Sequence, residues 1–181
     1  MHRILSALLA LSASVLPALA EDAATRVANG QKFGAWTVAC KALAMNETAC
    51  MLDQALLRNS DRAFVANILG FWDARGEKRY LTAQVPVGAY LPSGFAMRVG
   101  DDKTVHQFIW QSCTSTLCEA LIELDDDTLK ALGAPGAQVV ASYRPNLRSD
   151  PVVFNFSAEG IAEGLAALRP VEPAKDKKAT K

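Results

Sequence analysis

Between residues 33 and 157 the apolar side chains fall into short runs rich in β-branched and aromatic residues. The runs are FGAWTVAC (33–40), FVANILGFW (64–72), RYLTAQVPV (79–87), FAMRV (95–99), TVHQFIWQSC (104–113), CEALIEL (118–124), AQVVASYR (137–144) and VVFNFS (152–157), with a further strand through Cys50 to Leu57. Turn chemistry separates them at Asp73 to Gly76, Pro86 to Gly88, Pro92 to Gly94 and Gly100 to Asp102. Many short strands at near-regular spacing, with few helices between them, predict an all-β fold: an antiparallel β-sandwich, immunoglobulin-like, with two short helices.

The two helices are read from breaks in the strand pattern. In DDDTLKALGAPG, Asp126 or Asp127 is expected to cap the first turn, Leu129 and Leu132 to face inward, and Gly133 with Pro135 to end the helix. In SAEGIAEGLAAL, a helix is expected to begin at Ser157 or Glu159 and to carry Ile161, Leu165 and Leu168 on one face. Gly160 and Gly164 on that helix permit close approach to a neighbour.

The first 20 residues follow another logic. His2 and Arg3 precede an apolar run from Ile4 to Leu16, Pro17 breaks it, and Ala18-Leu19-Ala20 supplies a small-x-small cleavage pattern. The run is too short for a stop-transfer helix, so a cleaved secretory signal (1–20) is expected, with no transmembrane anchor. A lead-in (21–32), a sandwich domain (33–169) and a disordered basic tail (170–181, RPVEPAKDKKATK from Arg169 onward) complete the expected organisation. The chain is then exported, to the periplasm or to the outer envelope and beyond it.

Charge narrows the partners. Lys plus Arg number 19 and Asp plus Glu number 19, so no basic field exists to collect phosphates and nucleic acid is excluded as a partner.

In an exported chain four cysteines favour disulfides, and four cysteines allow three pairings. Cys40 with Cys50 and Cys113 with Cys118 is local in both cases, linking neighbouring strand ends, whereas either crossed pairing needs distant strands to coincide. CTSTLC lies between strands rather than at a helix start, which disfavours a redox pair. The spacing from Cys40 to Cys50 suits a four-cysteine zinc site poorly.

Several ordered features carry a family resemblance. FGAWTVAC, CMLDQALL, VPVGAYLPSGFAMRVGD, the Cys113–Cys118 pair followed by Glu119-Ala120, a short helix ending in Gly, and PVVFNFSAEGIAEGLAAL follow one another along the chain. This order resembles the invasion-associated locus B family of exported proteins from Gram-negative bacteria. The resemblance implies a β-sandwich in the periplasm or outer envelope, linked to host-cell invasion or envelope integrity, without an established chemistry.

The search for chemistry returns little. His106 is the one histidine after the signal, and a hydrolase would have to use it with Ser112 or Asp102, yet no Gly-x-Ser-x-Gly elbow is present. Asp125 to Asp127 lacks the alternating oxygen spacing of a calcium loop and reads as helix capping. No metal or cofactor is expected, and no catalytic residue is assigned. Asn46-Glu47-Thr48 is read as an ordinary loop. Trp36, Trp72 and Trp110 are expected in the core, against the alternative of an aromatic platform for sugar or peptidoglycan that includes Tyr80 or Tyr90. The candidate contact loop is VPVGAYLPSG, where Tyr90 and Leu91 stand between turn residues. The expected function is a non-enzymatic interaction or envelope-integrity module whose partner is an envelope or host protein or a surface polymer. The alternative is a periplasmic enzyme, hydrolase-like, using His106.

Overall fold

A computed structural model describes residues 27–45 and 47–170. The expected signal (1–20), part of the lead-in, Asn46 and all of the tail beyond Pro170 lie outside the described residues.

Alternation builds the strands. They are β1 (Lys32–Phe33), β2 (Trp36–Ala44), β3 (Glu47–Leu57), β4 (Phe64–Trp72), β5 (Arg79–Pro86), β6 (Phe95–Val99), β7 (His106–Cys113), β8 (Leu117–Glu123), β9 (Gln138–Tyr143) and β10 (Val152–Ser157). The run expected at 33–40 is thus two strands, because Gly34 and Ala35 turn the chain between Phe33 and Trp36. All pairings are antiparallel, in the order β1-β2-β3-β4-β5-β8-β7-β6-β9-β10. On β5, Leu81, Ala83 and Val85 are buried on one face while Tyr80 and Gln84 are only half-buried on the other. The same period places Trp36 and Val38, Ala66 and Ile68, Phe95 and Met97, and Val139 and Ala141 in one continuous core.

An immunoglobulin domain separates its two sheets. Here β7 belongs to both layers, pairing β8 on one side and β6 on the other. The ten strands form a single strip that curls until β10 returns over β2 and β3. Three contacts record the return. Trp36 meets Phe156 edge-on at 6.2 Å between ring centroids. The Tyr143 hydroxyl donates to the Val65 carbonyl at 3.3 Å. Gln54 uses both ends of its carboxamide on Ser157: Nε2 donates to the Ser157 carbonyl, and the Ser157 N–H donates to Oε1, each at 3.0 Å.

Two helices close one end. α1 (Asp126–Leu132) is capped by Asp125, whose carboxylate accepts from the Thr128 N–H at 2.7 Å; the cap is one residue earlier than expected because β8 stops at Glu123 and leaves Asp125 extended. Those Thr128 hydrogen bonds also hold the Asp125 carboxyl below the usual range. Thr128 and Leu132 are buried, and Leu129 is half-buried against the core. α2 (Ile161–Leu168) starts later than Ser157 or Glu159, since β10 keeps Ser157 and Gly160 makes the turn at φ +86°. Its Ile161 and Leu165 are buried as the spacing predicts, with Leu168 half-buried behind them.

The seat of α2 is tight. A Cβ on Gly160 would fall 2.2 Å from the Phe33 carbonyl oxygen, and one on Gly164 would fall 2.6 Å from Leu52 Cδ2. The Trp72 indole N–H donates to the Leu165 carbonyl at 2.6 Å, and the ring carries the guanidinium of Arg169 at 5.0 Å and that of Arg79 at 5.4 Å. Arg79 also pairs with Asp126, so one indole ties β4, β5, α1 and the end of α2 together.

The cysteines lie in directly opposed cross-strand pairs, Cys40 across from Cys50 and Cys113 across from Cys118. Their sulfurs are 2.08 Å and 2.02 Å apart. By chain entropy, such short loops are worth roughly 2–3 kcal/mol each.

Two predictions follow from this packing. Gly160→Ala should cost roughly 2–4 kcal/mol, combining a left-handed backbone with a collision against immovable main chain. Gly100→Ala, also at positive φ but facing open space, should cost only about 1–2 kcal/mol. Thermal unfolding of the two variants measures the difference, and equal midpoints would show that the α2 seat yields. Peptide mapping of the non-reduced protein should find the 40–50 and 113–118 linkages; a crossed linkage would overturn the register of β2 on β3 and of β7 on β8.

Candidate functional site

The segment after β5 is a rigid projection rather than a slack loop. The Val87 N–H donates to the Thr116 carbonyl at 2.9 Å, and the Tyr90 N–H to the Arg144 carbonyl at 2.8 Å. Ala89 is buried between these anchors. Pro92 then nucleates a single 3-10 turn over Leu91–Ser93, closed by the Ser93 hydroxyl donating to the Tyr90 carbonyl at 2.8 Å. Gly94 leaves that turn at φ +73°, and its N–H donates to the Leu91 carbonyl at 3.0 Å. The consequence for the two candidate contact residues differs. Leu91 projects and is 42% exposed, whereas Tyr90 is half-buried.

Strand polarity decides what surrounds this projection. The β3–β4 turn, the β5–β6 segment, the β7–β8 turn and the β9–β10 connection all emerge at one end, remote from the helices. The hydrogen bonds from Val87 to Thr116, Tyr90 to Arg144 and Tyr143 to Val65 knit the four together. Sequence reading found Tyr90 and Leu91 but missed the companions that the other loops bring, Leu57, Phe64, Leu147 and Val153, all exposed. Leu147 is a lone apolar residue in a turn and the other three belong to apolar runs at strand ends, and only the fold reveals that they converge.

His106 stands at the other end, half-buried at the start of β7 opposite Met97. Two carboxylates, Asp102 and Asp125, lie near it, but each is already engaged. Hydrogen bonds from the Thr104 N–H and hydroxyl, both 2.9 Å, hold the Asp102 carboxyl low, and Thr128 does the same for Asp125. Ser112 lies six positions along the same strand, about 20 Å away, so the two residues of the hydrolase reading are not brought together. A cavity of about 250 Å³ lies between the α1–β9 connection and the start of α2, with Glu159 and Glu163 on its wall. It falls below the usual size of a site for a drug-sized ligand. Among the described residues, no group of three or more His, Cys, Asp and Glu side chains is placed to hold a metal ion. Of the acidic run, Asp125 caps α1, Asp126 pairs with Arg79, and Asp127 is exposed.

The tryptophans divide. Trp36 is fully buried, while Trp72 and Trp110 are half-buried against the core rather than enclosed in it. Tyr80 stacks on Phe71 at 5.8 Å on the outer face of the sheet. Below that pair, Asn67 donates to Asp53 and Gln84 donates to Glu119, each at 2.9 Å, so these polar groups largely satisfy one another. Alternation within β3, β4, β5 and β8 would have revealed this ladder in the sequence.

Comparison with known proteins agrees with the fold. A search of curated protein sequences returned no match. Among solved structures, the crystal structure of invasion associated protein B from Bartonella henselae is similar with a TM-score of 0.61 at 17% identity, over 76% of this chain and 92% of that one. That likeness speaks to fold alone. Among the described residues no helix is long and apolar enough to cross a membrane. The family profile described as "Invasion associated locus B (IalB) protein" matches residues 36–169, from the first core tryptophan to the arginine that ends α2, and the chain belongs to that family.

Proposed function

We propose that this protein is an exported, non-enzymatic interaction module of the bacterial envelope, linked through its family to host-cell invasion, and that its contact surface is the four-loop end carrying Leu91. The reading rests chiefly on one observation. The chain spends a buried alanine, two inter-loop hydrogen bonds and a proline-started turn on fixing Leu91 in a position where it stays exposed. Fixing an apolar side chain in water has no folding benefit, whereas it lowers the ordering cost of a contact. Export to the periplasm or beyond, with cleavage after Ala20, is part of the same proposal.

The second reading, a hydrolase using His106, draws on the two carboxylates near that imidazole. The two readings part experimentally. Capture of envelope components from extracts by the immobilised protein should fall at least about tenfold for Leu91→Ser, the loss of a well-packed apolar contact, with no change in unfolding midpoint. His106→Gln, at equal abundance, should leave both capture and any cellular phenotype intact. Loss of phenotype in His106→Gln with capture unchanged would transfer the function to the histidine.

A further inference from the structure

The four-loop end has a second property that its apolar tips do not require. Arg58, Arg62, Arg144 and Arg148 all lie in its turns, against only Asp61 and Asp150. Arg58 is paired with Asp61 at 3.1 Å, and Arg144 donates to the Ser149 carbonyl at 2.7 Å. Arg62 and Arg148 are exposed and have no carboxylate within ion-pair distance among the described residues. Arg62 is held outward by a left-handed backbone, φ +61°, at the tip of the β3–β4 turn. At the helix-bearing end the excess is acidic, with Asp73, Glu77, Asp101, Asp102, the Asp125–Asp127 run, Glu159 and Glu163 outside the strands against Arg75, Lys78, Lys103, Lys130 and Arg169. The described residues are therefore polarised along the strands, arginine being in excess at one end and carboxylates at the other.

We infer that the four-loop end docks on an anionic lipid bilayer, the loop tips entering the interfacial layer and the free guanidiniums meeting lipid phosphates. The inference rests on the reading of this end as the contact surface and names its partner. Charge complementarity selects the occupant: free arginines on this end match phosphate, and the acidic far end turns the molecule so that this end faces an anionic surface. Shape selects a bilayer over an acidic polypeptide. The apolar side chains Leu91 and Leu147 project from separate connections, with Phe64 and Val153 exposed at the strand ends beside them, and such exposed tips suit insertion among headgroups.

The test is co-sedimentation of the exported protein with vesicles of phosphatidylcholine alone and with about 30 mol% phosphatidylglycerol, at about 0.1 M salt. Binding should appear with phosphatidylglycerol only and weaken as salt rises. Arg62→Gln combined with Arg148→Gln should weaken it at least about tenfold, from roughly fivefold per basic residue at an anionic surface. Leu91→Ser combined with Leu147→Ser should weaken it as well, while Lys130→Gln on α1 should not. Unchanged unfolding midpoints establish that the variants fold. A chain ending at Pro170 separates the lysine-rich tail from the loops. Binding that vanishes with the tail yet ignores both double variants would overturn the inference. No binding to phosphatidylglycerol, with capture from extracts still dependent on Leu91, would also overturn it while leaving the interaction-module reading in place.

Discussion

The fold depends on how a ten-stranded strip disposes of its last edge. An open β edge leaves alternate N–H and C=O groups unpaired, and burying them without partners costs about 1–3 kcal/mol each. Here the carboxamide of Gln54, itself buried, supplies donor and acceptor to Ser157 in the geometry of one more strand residue. Around this side chain the strip closes: Trp36 reaches Phe156, β10 ends where α2 begins, and the Ala35 N–H reaches the Glu159 carbonyl at 3.1 Å. A leucine at position 54 would fill the space and leave both backbone groups orphaned.

Closure at that point separates the molecule into two dissimilar ends. At one, the helices, the Trp72 stack with its two arginines and the glycine seat of α2 leave little freedom. At the other, four connections without helices present their side chains outward while hydrogen bonds between loops hold their backbones still. Rigidity of the first kind comes from burial, and of the second chiefly from hydrogen bonds to the loop backbones, which is why the second end can stay both ordered and exposed.

Much of the fold was legible because strand alternation is a local property. FVANILGFW, FAMRV and VVFNFS are strands over the expected residues, and Ile161, Leu165 and Leu168 form the expected stripe. The misreadings are local competitions. Three successive aspartates can each cap a helix, and the end of β8 selected Asp125. Ser157 suits a helix start by composition, but a glutamine 103 residues away keeps it in the strand. Gln54 was visible as a polar residue in step with Leu52 and Leu56; its partner was not, since pairing across the closed strip leaves no mark in sequence spacing. The four-loop end was half legible for the same reason: VPVGAYLPSG announces a rigid turn by itself, whereas the convergence of Phe64, Leu147 and Arg148 on it follows only from strand order.

The disulfide arrangement has a consequence for biogenesis. Each bridge joins consecutive cysteines, first to second and third to fourth, and the second pair encloses only a five-residue separation. A chain threaded into an oxidising space amino end first would expose Cys40 and Cys50 before Cys113 appears. An oxidase that joined thiols in order of arrival would then leave no wrong bond to undo, and maturation along that route would need a donor of disulfides but no isomerase to reshuffle them.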